Sequence, residues 1–160
     1  LSRISNRLRE NYDFNFSDNE LKIQVTENYK IEIGGQPLDF GHKGKLSHVV
    51  YLFYLINHKS KFGRKDLSIG GVAHEKFMLL YNHIYSKIYE DEVNRYVKSI
   101  TSVHSRISTR IKNQLNIEAL AHKYGFNSSN TKQDVTVYYI DISPEHLSIP
   151  SDLLSFKVNY

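Results

Sequence analysis

The sequence predicts an α+β domain with a short N-terminal β-hairpin, three helices and a closing strand region, and three observations predict it. Tyr29-Lys-Ile31-Glu-Ile33 alternates apolar and polar residues ahead of Gly34-Gly35, the pattern of a half-buried strand entering a two-residue turn. Three later stretches read as helices, one apolar almost all round and two that bring apolar residues back every three or four positions, the period of a helix with a buried stripe. Val135, Val137 and Tyr139 then return to a period of two, that of a strand.

Each element follows from local chemistry. Pro37-Leu38-Asp39-Phe40 returns from the glycine turn as an edge strand, because proline cannot donate to a central ladder. Gly41 to Lys45 is a loop. Leu46 to His58 is apolar almost all round, with Val49, Val50, Leu52, Phe53, Leu55 and Ile56, which suits a central buried helix. A break at Lys59 to Arg64 and the flexible Gly70-Gly71 lead to a second helix from Glu75 to Tyr89. Its stripe is Phe77, Met78, Tyr81, Ile84, Tyr85 and Ile88. A third helix runs from about Glu92 to Asn116, followed by a return segment from Ile117 to Phe126. Asn127 to Gln133 reads as a polar loop, and the last strand continues to Ile142, where Ser143-Pro144 ends it.

The third helix decides the sign of the protein. The chain has 160 residues, 21 Lys and Arg against 17 Asp and Glu, and a formal net charge of +4. Between Val93 and Ile117 there is no acidic residue, yet Arg95, Lys98, Arg106, Arg110 and Lys112 all fall there. Without those five the chain has 16 basic residues against 17 acidic ones. Clustered cations displace several counterions from one stretch of phosphate backbone, so a local basic surface points to a polyanion. On the helical wheel Ile100, Val103, Ile107, Ile111 and Leu115 form one apolar stripe, and Arg95, Ser99, Ser102, Arg106, Arg110 and Asn113 a separate polar wall. Arginines in step with Ser and Asn hold phosphates and reach base edges.

The tract SRISNRLRE at Ser2 to Glu10 is nearly restated as SRISTRIKN at Ser105 to Asn113. Repeats of this kind mark a structural unit used twice, with Arg3 and Arg7 in the places of Arg106 and Arg110. The expected organisation is therefore residues 1–27 as the C-terminal part of a first unit, residues 28–150 as a complete second one, and residues 151–160 as a tail. In the first unit, Leu1 to Asn11 would end a helix, and Phe14, Phe16, Leu21, Ile23 and Val25 would form two strands. A start at Leu1 suits a piece of a longer chain.

Hairpin, three helices and a polar loop flanked by strands is the order of a winged helix-turn-helix domain, and the pattern resembles the OmpR-type winged-helix DNA-binding domain. IEIGGQPLDF is similar to that family's hairpin, LSHVVYLFYLINH to its first helix, and TSVHSRISTRIKNQL to the helix laid in the major groove. The likeness covers roughly Tyr29 to Ile142. The segment from Lys59 to Asp91 is longer than in that family, and KYGFNSSNTKQDVTVYYI replaces the short Gly-x-Gly-Tyr wing turn. The resemblance implies that the third helix reads bases, that its polar wall holds phosphates, and that the wing touches the adjacent minor groove. The candidate DNA-binding residues are Arg95, Lys98, Ser99, Ser102, Arg106, Thr109, Arg110 and Asn113, with Lys132 in the wing and Arg3 and Arg7 in the first copy.

Other classes find little support. No run approaches the roughly 18 apolar residues of a membrane span, and no signal peptide opens the chain, so a cytoplasmic protein is expected. The chain has no cysteine and eight histidines without ligand spacing, so neither a thiolate nor a metal site is expected. GHKGKLS at Gly41 to Ser47 outlines a phosphate loop, but Asp39 stands where the first glycine belongs and Leu46 where Ser or Thr would hold magnesium. No nucleophile motif is present, so the expectation is a non-enzyme without cofactor. Double-stranded DNA is the expected partner, with a protein partner bound through Tyr81, Tyr85, Tyr89 and Tyr96 as the alternative.

Overall fold

The computed structural model describes residues 21–41, 44–63, 65–85, 100–115 and 123–158. They form an α+β arrangement with two small sheets around one apolar cluster. In order, the elements are β1 (Ile23–Val25), β2 (Ile31–Ile33), β3 (Gln36–Pro37), α1 (Lys45–Ile56), β4 (Phe62–Gly63), α2 (His74–Ile84), α3 (Ile100–Leu115), β5 (Asn127–Asn130) and β6 (Thr136–Tyr139). A 3-10 turn at Pro144–His146, β7 (Leu147–Ser148) and a second 3-10 turn at Ser151–Phe156 complete them.

The first sheet has the order β3-β2-β1-β7, with β1 antiparallel to β2 and parallel to β7. Ile23, Val25, Ile31 and Ile33 alternate into the core, as a half-buried strand pair requires. Gly34 and Gly35 both have positive φ, +60° and +81°, which is the conformation that a two-residue hairpin turn needs and that glycine adopts without strain. The expected strand start at Tyr29 is a turn instead, with φ +63°.

The first sheet crosses the expected division after residue 27, and the helix expected over Leu1 to Asn11 lies outside the described residues. Val25 pairs with Ile31, so a division after residue 27 falls inside one sheet, and β1 buries its side chains in the same core as α1 and α3. Residues 151–158 are no loose tail either. Leu153 is fully buried, the Val158 N–H donates to Asn57 Oδ1 at 2.8 Å, and Lys76 Nζ donates to the Ser155 carbonyl at 3.1 Å.

α1 is the central helix. All its residues from Leu46 to Ile56 except His48 are buried, because it packs on α2, α3 and the last 3-10 turn together. α2 buries Phe77, Leu80 and Tyr81 and gives way at Tyr85 to extended backbone. It is thus shorter at the described end than the expected Tyr89. Tyr85 instead donates its hydroxyl to His48 Nδ1 at 2.7 Å, since His48 Nε2 donates to the Tyr29 carbonyl at 2.7 Å and must carry the proton.

The second sheet, β4-β6-β5, is antiparallel throughout. It contains two strands where loops were expected: β4 in the break after α1, and β5 in the polar stretch after Phe126. Ile140 belongs to the main cluster and the partly buried Tyr138 packs against it, whereas Val135 is 53% exposed. Thr131 to Val135 closes the β5–β6 hairpin: Thr131 N–H donates to the Val135 carbonyl, Asp134 N–H to the Thr131 carbonyl, and Val135 N–H to Thr131 Oγ1. Asp134 takes φ +61°, the left-handed position of a three-residue loop with a bulge. Thr26 to Lys30 closes β1–β2 with the same three hydrogen bonds and the same left-handed fourth residue, Tyr29.

Candidate nucleic-acid interface

α3 carries the candidate site, and its orientation follows from its stripe. Val103, Ile107 and Ile111 are fully buried and Leu115 nearly so. Packing that face against α1 leaves Ser105, Arg106, Thr109, Arg110, Lys112 and Asn113 exposed. His104 joins the buried side at 3% exposure, enclosed by the rings of Tyr54, Phe126 and Tyr138 at centroid distances of 5.2, 4.3 and 4.4 Å. Desolvation drives its pKa down to about 4, so the imidazole is neutral at pH 7 and adds no charge to the face.

Two side chains fix the helix to its neighbours. Ser108 Oγ accepts the Phe126 N–H at 3.2 Å, holding the entry to β5. Gln114 spans to the loop after β3, accepting the Asp39 N–H at 3.0 Å and donating to the Asp39 carbonyl. Asp39 Oδ1 in turn accepts the Gly41 N–H at 2.8 Å, a local turn that shapes the loop. Gly41 lies at φ +81°, and a Cβ there would collide with the Arg110 guanidinium. Arg110 therefore rests on bare backbone. Between this loop and α3 opens a groove of about 430 Å³, lined among others by Phe40, Ser47, Arg106, Arg110 and Asn113.

Of the sequence-predicted residues, Arg106, Thr109, Arg110 and Asn113 come together on this one groove. Lys132 is exposed in the β5–β6 turn, on a different element. Ser102 lies in the first turn of α3, with its side chain outside the described set. Arg95, Lys98, Ser99, Arg3 and Arg7 lie outside the described residues. Sequence reasoning missed Ser47, Gly41, Ser105 and Gln114. Only Ser105 carried a signal, because it sits one step from Arg106 in a repeated tract. Ser47 is a lone serine in an apolar helix and gave none.

The described residues hold one other titratable cluster. The Tyr29 hydroxyl donates to Asp152 Oδ2 at 2.6 Å and meets His83 Nε2 at 2.9 Å, and His83 lies 3.3 Å from Asp152. The Tyr29 hydrogen bond holds the Asp152 carboxyl below its ordinary value and pushes the phenol up. This cluster ties the last 3-10 turn to α2 and to the β1–β2 turn. No group of three or more His, Asp or Glu side chains among the described residues is arranged to hold a metal ion. No helix among them is long and apolar enough to cross a membrane. No known protein family matches the chain, and neither a curated protein nor a solved structure is similar to it.

Proposed function

We propose that the chain is a winged-helix module that binds double-stranded DNA, with α3 in the major groove and the β5–β6 hairpin as its wing. The observation that carries this reading is the exposed face of α3, where Arg106, Thr109, Arg110 and Asn113 stand together opposite a fully buried stripe. The connectivity supports it. Among the described residues, a helix, a short strand, two further helices and a hairpin whose second strand pairs with that short strand follow one another, an order compatible with such a module. Arginine on a helix face is suited to guanine edges and to phosphates alike. The module is read as a cytoplasmic transcription or replication regulator without catalytic activity or cofactor.

Of the four tyrosines of the protein-docking alternative, Tyr81 is 1% exposed and Tyr85 is half-buried and bonded to His48, while Tyr89 and Tyr96 lie outside the described residues. Fluorescence anisotropy with duplex DNA over a range of salt concentrations tests the proposal. The expected result is affinity that falls linearly in log–log form with salt and an Arg106→Ala/Arg110→Ala double variant that binds more weakly with a shallower slope. Equal affinity and slope in the folded double variant would end this reading of α3.

A further inference from the structure

The groove beside α3 has a second wall, the N-terminus of α1. Gly44 caps that 12-residue helix without a side-chain hydrogen bond, and no acidic residue stands in the first turn. The free N–H groups of a helix's first turn, together with its dipole, favour an anion. Ser47 gives an independent indication. It is only 9% exposed and lines the same groove, and its hydroxyl has no hydrogen-bond partner among the described residues. The hydroxyl opens onto the groove, where it can donate to an occupant. On the facing wall the Arg110 guanidinium lies against Gly41, likewise without a hydrogen bond or ion pair among the described residues. No carboxylate lines the space among those residues, and the nearby Asp39 carboxylate is engaged by the Gly41 N–H.

We infer that this groove is a binding site for a single phosphoryl group, whose oxygens accept from the α1 N-terminus and the Ser47 hydroxyl on one side and from Arg110 on the other. Leu46 occupies the place where a nucleotide loop has its magnesium-holding hydroxyl, so the site suits a phosphate without a metal. The geometry recognises the phosphoryl group itself. Assigning it to a DNA backbone phosphate rests on the function proposed above, and a free phosphate is the other source.

The full chain is titrated with inorganic phosphate, and with chloride at matched ionic strength, while backbone amide shifts are followed by NMR. Saturable shifts at Lys45, Leu46 and Ser47 with phosphate alone are expected. Ser47→Ala should weaken that binding about fivefold, the loss of one hydrogen bond, and it favours the helix, so the variant folds. Gly41→Ala, which displaces Arg110, should weaken it as well. Shifts that never saturate, or a saturable site indifferent to both variants, overturn the inference. Duplex DNA then identifies the source. If the phosphate is DNA's, Ser47→Ala lowers DNA affinity about fivefold, and Arg110→Gln reduces the salt slope by about 0.9. DNA binding unchanged in both variants removes the backbone phosphate as the ligand while the DNA reading stands. Absence of DNA binding beside an intact phosphate titration overturns the DNA reading and leaves free phosphate as the ligand.

Discussion

The Gln114 side chain and the Asp39 main chain form a closed pair of hydrogen bonds: Asp39 N–H to Gln114 Oε1 at 3.0 Å, and Gln114 Nε2 back to the Asp39 carbonyl. An amide side chain here acts as one more strand residue would, satisfying a donor and an acceptor of the loop that leaves β3. It couples the end of the candidate DNA-reading helix to the loop wall of the groove. Gln114→Ala removes both bonds, and at about 1 kcal/mol each for a typical hydrogen bond the expected loss is about 1–2 kcal/mol. Urea unfolding measures this. A change in midpoint within error would mean that the pair is replaced by water at no cost.

His104 gives the fold an acid-sensitive core. Its ring is packed between aromatic rings at 3% exposure, and its pKa is lowered from 6.5 to about 4 by desolvation. The unfolded chain binds the proton more readily than the folded one. Its contribution is therefore present above pH 6.5 and is lost as pH falls from 6.5 towards 4. Over that interval the expected loss is about 3 kcal/mol. His104→Leu should flatten the stability profile between pH 7 and pH 4.5, and thermal melts of both proteins across that range check it. An equally steep profile in the variant would place the acid sensitivity elsewhere.

How much of this was legible in the sequence depends on which force fixes each element. α1 was readable because a helix buried on every side is apolar almost all round, and α3 because burial of one face imposes a 3.6-residue period, whose stripe is the buried set Val103, Ile107, Ile111 and Leu115. β4 and β5 were not readable. Phe62-Gly63 is too short to show an alternation, and Asn127-Ser-Ser-Asn130 has neither the branched nor the aromatic residues that favour strands. Both are held by main-chain pairing to β6, a tertiary effect. Within the groove, the arginines announced themselves by charge. Ser47 and Gly41 matter because of what lies across from them, which no linear spacing encodes.

The stripe and the polar face of α3 should separate cleanly by mutation. Ile107 is fully buried, so Ile107→Ala should cost about 2–5 kcal/mol of stability. Arg106 is exposed, so Arg106→Ala should change stability by no more than about 0.5 kcal/mol while weakening DNA binding. Denaturant titrations beside binding isotherms for the two variants read both effects. A near-neutral Ile107→Ala, or an Arg106→Ala that unfolds the protein, would rotate the helix away from its described orientation.

The β5–β6 turn allows function and folding to be tuned at neighbouring residues. Asp134 sits at φ +61°, where a side chain is strained and glycine is not, so Asp134→Gly should stabilise the hairpin by about 0.5 kcal/mol after the added freedom of the unfolded chain is counted. Lys132, two residues earlier, is exposed in the same turn. Lys132→Ala should leave the melting temperature unchanged. If the hairpin lies along DNA as a wing, that change should lower the salt slope of binding by about 0.9, one phosphate contact. Asp134→Gly should have the opposite profile, with a higher melting temperature and, apart from the one negative charge it removes beside the backbone, DNA affinity that is little changed. A Lys132→Ala protein with the wild-type slope would detach the hairpin from the interface and confine binding to α3.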